Sequence, residues 1–162
     1  MPVRKVSTFL DATILLVDDN LDGLSARKSV LEELGYRIVT ASNGIEGLEK
    51  LAAHSIQLVV TDYRMPGMDG LEFIRHLRKS HAGLPVILLS GFTDALGMSE
   101  ASTCADAVLQ KSNHEVTHLT RAVNRLLDPP HHTKALSSKP DNPPRKPATN
   151  ITPSAKAKRQ GA

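Results

Sequence analysis

The sequence predicts an α/β domain: a doubly wound, mostly parallel five-stranded sheet with helices on both faces. Three observations carry this. Short apolar runs alternate with longer amphipathic segments, five of each. The apolar runs are nearly continuous, as strands covered on both faces are. Their ends, rather than their middles, carry the polar residues.

Taken in order, "ATILLVD" (12–18) reads as a buried strand. "LDGLSARKSVLEELG" (21–35) follows as a helix, with Leu24, Val30, Leu31 and Leu34 at helical spacing and Gly35 as its stop. "YRIVTA" (36–41) is a second strand, and "NGIEGLEKLAAH" (43–54) a helix opening on Asn43. "QLVVTD" (57–62) is the third strand; "DGLEFIRHLRKS" (69–80) is a helix with Leu71, Ile74 and Leu77 on one stripe and Asp69 as N-cap. "PVILLS" (85–90) is the fourth strand, and 94–103 a short, weakly patterned helix. "DAVLQ" (106–110) is the fifth strand. The last helix covers 113–127, with Val116, Leu119, Val123, Leu126 and Leu127 facing inward.

Right-handed crossovers place the C-terminal ends of parallel strands on one edge, and ligands bind outside that edge. Asp18 and Asp19 follow the first strand, Asp62 ends the third, Ser90 ends the fourth, and Lys111 follows the fifth. Each has an ordinary reading: Asp18 and Asp19 as helix caps, Asp62 as a turn opener, Ser90 as a loop hydroxyl, Lys111 as a solvated charge. Together on one rim they read as a site. Three close carboxylates repel unless a cation offsets them, and Mg2+ matches such hard oxygen donors. A metal, a lysine and a hydroxyl together suit a phosphoryl group. The histidines (54, 76, 81, 114, 118, 131, 132) are scattered over helices and tail, and read as surface residues.

"ILLVDDN", "VVTDYRMPGMDG", "VILLSG" and "QK", in this order and spacing, resemble the receiver domain of bacterial two-component response regulators (CheY-like) over residues 12–127. The resemblance implies a flavodoxin-like strand order, 2-1-3-4-5. It implies that Asp62 is the phosphoacceptor, attacking a phosphohistidine on a sensor histidine kinase or a histidine phosphotransfer protein. It further implies Mg2+ held by Asp19, Asp18, Asp62 and the Arg64 backbone carbonyl, with Lys111 gripping a phosphate oxygen and Ser90 following the phosphoryl group. Such a domain catalyses its own phosphorylation and dephosphorylation, but serves mainly in signalling. Two positions depart from the family's pattern. Val108 stands where an aromatic switch residue is common, and Ser112 where the lysine is usually followed by a cis proline, so a trans Lys111–Ser112 bond is expected. The resemblance also implies that Arg64 and Phe92 border the position of the hydrolytic water; both are bulky, so slower loss of the phosphoryl group is expected.

The chain changes character near Asp128. Residues 1–128 hold 13 Lys and Arg against 16 Asp and Glu, while 129–162 hold 7 against 1 and seven of the ten prolines. The basic pI of about 9.1 thus comes from the tail. With few apolar residues, 128–162 is expected to be a disordered, Pro-rich basic tail, and 1–11 an N-terminal extension. The tail's expected role is that of a solvated extension, with weak contact to nucleic acid or an acidic partner as the alternative. No apolar run reaches the ~20 residues that span a bilayer. Cys104 is the only cysteine, read as a small core filler, and a cytoplasmic setting is expected.

The leading functional expectation is a stand-alone receiver in a phosphorelay, signalling to an unknown downstream protein by contact. The alternative is a receiver-like binding module that works without phosphorylation. A haloacid dehalogenase-type phosphatase would carry a second aspartate two positions after the nucleophile, where this chain has Arg64.

Overall fold

The computed structural model describes residues 11–91 and 97–128. The chain divides into Met1–His131 and His132–Ala162, and the second unit lies outside the described residues, as does the expectation about the tail. The elements are β1 (Thr13–Val17), α1 (Leu21–Glu33), β2 (Arg37–Ala41), α2 (Gly44–Ala53), β3 (Leu58–Asp62), α3 (Gly70–Ser80), β4 (Val86–Ser90), α4 (Glu100–Thr103), β5 (Ala107–Gln110) and α5 (Glu115–Leu127). All strand pairs are parallel, in the order β2-β1-β3-β4-β5.

Alternation along the strands builds two cores. Ile14, Leu16, Leu58, Val60, Ile87 and Leu89 pack with Leu24 and Leu31 of α1 and Leu119 and Val123 of α5. Their neighbours in sequence, Leu15, Val17, Val59, Val86 and Leu88, pack with Leu51 of α2 and Phe73, Ile74 and Leu77 of α3. The central strands β3 and β4 are buried at every position, which is why they read as unbroken apolar runs.

Local chemistry sets the helix ends. The Asn43 side chain caps α2 by accepting from the Glu46 N–H at 2.8 Å, and Asp69 caps α3 through Glu72 N–H at 2.8 Å. Helix α1 ends on Gly35 at φ 95°, where Gly35 N–H donates to Glu32 O (2.9 Å) and Tyr36 N–H to Leu31 O (3.1 Å). That paired pattern is a Schellman stop, and its left-handed residue favours glycine.

Four expectations are corrected. Leu34 and Val116 are exposed; the stripe of α1 instead runs Leu24, Arg27, Leu31, and that of α5 runs Leu119, Ala122, Val123, Leu127. Cys104 is exposed rather than core: it ends α4 in the left-handed region, φ 59°, and the buried position passes to Ala105. The expected helix over 94–103 is regular only from Glu100 to Thr103; Gly97 turns at φ 59°, and 92–96 lie outside the described residues.

Gly70 fixes how closely α3 approaches the end of β3. A Cβ there would run into the Asp62 carbonyl oxygen and the Tyr63 Cα, both backbone. Gly70→Ala is therefore expected to destabilise the domain by about 1–3 kcal/mol, the usual range for overpacking. Urea unfolding checks this, and an unchanged midpoint would mean that the contact is not tight.

Candidate functional site

Strand register assembles the site. Val17 lies opposite Thr61, so Asp18 is level with Asp62. Asp62 lies opposite Leu89, one residue short of Ser90, and Ser90 opposite Gln110, one short of Lys111. Backbone bonds extend the sheet past the strand ends: Asp18 N–H to Ala41 O (3.1 Å), Tyr63 N–H to Leu89 O (2.8 Å) and Lys111 N–H to Ser90 O (3.0 Å). Four parallel strands thus deliver Asp18, Asp62, Ser90 and Lys111 to one rim.

Helix α1 is capped by Asn20, whose side chain accepts from Gly23 N–H at 3.0 Å, so neither Asp18 nor Asp19 is spent as its cap. Carboxylate oxygens of Asp18, Asp19 and Asp62 lie within 4.8 Å of one another, with Asp18 and Asp62 buried and Asp19 exposed. The Lys111 ammonium lies 2.8 Å from Asp62 Oδ1 and 3.6 Å from Asp18 Oδ2. Ser90 is fully buried at the same edge.

Burial pushes the Asp62 carboxyl above its ordinary pKa; the hydrogen bond from Lys111 works against this, and the negative charge of Asp18 adds to it. A divalent cation beside these oxygens would relieve that cost. The donor set fits Mg2+: hard carboxylate oxygens, one of them reachable from solvent, and no sulfur or imidazole. Among the described residues, His54, His114 and His118 are exposed, and His76 and His81 partly so. Beside the acids opens a cleft of about 440 Å3 lined by Asp19, Tyr63, Arg64, Met65, Pro66 and Asp69. Gly67, at φ 79°, turns the chain around it.

The departures expected on either side of the lysine are visible. No peptide bond among the described residues is cis, so Lys111–Ser112 is trans. Val108 is partly buried against the core that β4 shares with α3.

One site residue escaped the sequence reading. Arg27 of α1 is buried, donating from Nη1 to Asp18 Oδ2 at 2.6 Å and from Nε to Glu115 Oε1 at 2.5 Å. Burial works against its charge, but the hydrogen bonds to Glu115 and Asp18 outweigh this and hold its pKa above the ordinary value. The available signal was its place on the apolar stripe, three residues after Leu24 and four before Leu31.

Comparison with known proteins gives the family and the fold. Residues 14–124 match the family model of the response regulator receiver domain. The chain is 33% identical over 114 residues to the transcriptional regulatory protein GlrR of Escherichia coli, covering 70% of this chain and 24% of that protein. It spans about a quarter of the length of the first curated relatives it matches. Among solved structures, the response regulator TrrA of Thermotoga maritima, in complex with Mg2+-BeF, is 34% identical at a TM-score of 0.64, over 71% of this chain and 98% of that one. TrrA in complex with the histidine kinase ThkA is 35% identical at a TM-score of 0.64, over 72% and 98%. No helix among the described residues is long and apolar enough to cross a membrane.

Proposed function

Since the chain belongs to the response regulator receiver family, we propose that it accepts a phosphoryl group on Asp62 from a histidine kinase or histidine phosphotransfer protein and signals through protein contacts. One observation carries the reading: three carboxylates within 4.8 Å of one another, with that of Asp62 2.8 Å from a lysine ammonium, at the C-terminal edge of a parallel sheet.

In this reading an Asp62 carboxylate oxygen attacks the phosphorus of a phosphohistidine. The P–N bond breaks, the imidazole nitrogen leaves with the bonding pair and takes a proton, and an acyl phosphate remains. The rigid end of β3 aims the nucleophile. The Lys111 ammonium meets a phosphoryl oxygen, and Ser90 answers its arrival with its hydroxyl. Mg2+, held by Asp19, Asp62, the Arg64 carbonyl and Asp18, would offset the negative charge gathered there. The partner is supported by the complex of TrrA with ThkA; a cytoplasmic setting goes with such a partner. The expectation of a stand-alone receiver rests on the sequence reading, and the relatives are longer proteins.

The test is intact mass after incubation with acetyl phosphate. One phosphoryl group is expected with Mg2+ and none with excess EDTA. A folded protein that stays unlabelled in Mg2+ under all donors, including a phosphorylated histidine kinase, would favour the phosphorylation-independent binding module instead.

A further inference from the structure

Asp18 is fully engaged within the protein. Its Oδ1 accepts from the Asn20 N–H at 2.9 Å, and its Oδ2 accepts from Arg27 at 2.6 Å with Lys111 3.6 Å away. The same guanidinium binds Glu115, in the first turn of α5, 88 residues away in sequence. Room for it comes from Gly23, where a Cβ would stand 3.1 Å from Arg27 Nη1. Arg27 is therefore seated in the pocket, shared between an acid of the rim and an acid of a helix on the sheet's far side from α2 and α3.

We propose that Arg27 is a positioning residue that couples divalent-cation occupancy of the acid pocket to the first turn of α5. A guanidinium and a divalent cation compete for the same Asp18 oxygen. When Arg27 holds Asp18, the pocket is partly neutralised from within and takes a cation less readily. When a cation draws Asp18, Arg27 shifts its share of hydrogen bonding to Glu115, and the α1–α5 contact changes with it. By linkage, whatever strengthens the Arg27–Glu115 pair strengthens cation binding to the same degree. Glu115 thus acts as the counterweight: it draws Arg27 off Asp18. This gives α5 a direct ionic line to the site that does not pass through position 108 or through the backbone after Lys111. It rests on the reading of the pocket as a divalent-cation site.

The test is Mg2+ titration of the full chain by calorimetry and by amide NMR. Arg27→Met is expected to tighten Mg2+ binding by about fivefold or more, the lower end of ordinary coupling between sites. Glu115→Gln is expected to weaken it, because Arg27 is left to Asp18 alone. The decisive arm is the double variant: in the Arg27→Met background Glu115→Gln should have no effect, since its influence passes through the guanidinium. A general charge effect of Glu115 would persist there and overturn the proposal, as would weaker or unchanged binding in Arg27→Met. Should Arg27→Met fail to fold, NMR of the wild type and Glu115→Gln still decides: Mg2+ should shift the amides of Glu115 and Val116 in the wild type and much less in the variant. A wild type that binds Mg2+ with those amides unmoved overturns the coupling alone. A wild type that binds no Mg2+ overturns the cation-site reading as well.

Discussion

Asp62→Asn is expected to abolish phosphoryl labelling while raising the melting temperature of the metal-free domain. The loss is complete because the amide is no nucleophile, whereas Asp18 Oδ2 is held by Arg27 and Asp19 is exposed at the rim. The gain follows from burial. The folded state holds the Asp62 proton more tightly than the unfolded chain does, because desolvation raises its pKa against the pull of Lys111. A carboxyl raised in this way costs stability above its folded pKa, and the cost vanishes below the ordinary carboxylate pKa. The melting advantage of Asp62→Asn over the wild type should thus be larger near about pH 7 than near about pH 4. Thermal unfolding in EDTA at both values checks the sign. An advantage that is absent, or that grows on acidification, would mean that Lys111 outweighs burial at this site.

Arg27→Met should have the second largest effect, on stability. Asp18 and Arg27 are both nearly inaccessible, with side chains 2% and 8% exposed, and Glu115 is 14% exposed. Removing the guanidinium takes from Glu115 the cation it pairs with and leaves Asp18 only the Asn20 N–H and the more distant Lys111, and breaking a buried pair from one side costs about 3 kcal/mol or more. For a domain of this size that lowers the melting temperature by about 10 °C. Adding Glu115→Gln to the same background should recover part of the loss, since one stranded charge is removed. Urea unfolding of the single and double variants in EDTA measures both steps. A loss below about 1 kcal/mol is what an exposed ion pair gives, and would show that Arg27 is better solvated than its packing indicates.

The rim acids, Ser90 and Lys111 were legible in the sequence because parallel strands with one-handed crossovers leave little freedom. Once five strands are recognised, their C-terminal residues must share an edge. The strand order entered through the family resemblance, and the structure has it. Arg27 was not legible for a physical reason. An arginine in an amphipathic helix usually extends its stem over the core and its charge into water, and here two acids, Asp18 of the rim and the far-off Glu115, turn it inward. Leu34 and Val116 misled because helical spacing alone does not say where a stripe stops. Leu34 falls at the C-cap just before the Gly35 turn, and Val116 lies in the first turn of α5, ahead of Leu119, the first buried residue of that helix. Cys104 misled because burial is typical of free cysteine, while a left-handed residue ending a four-residue helix turns away from the core.

The most direct measurement of the central claim is chemical capture of the phosphorylated residue. An acyl phosphate on aspartate is reduced by borohydride to homoserine, whereas a phosphoramidate on histidine or a phosphate ester on serine is not. After acetyl phosphate and Mg2+, reduction and peptide mass sequencing, homoserine is predicted at position 62 alone. Homoserine at position 18 or 19, or a phosphoryl group on a histidine or serine with Asp62 unchanged, would contradict the account.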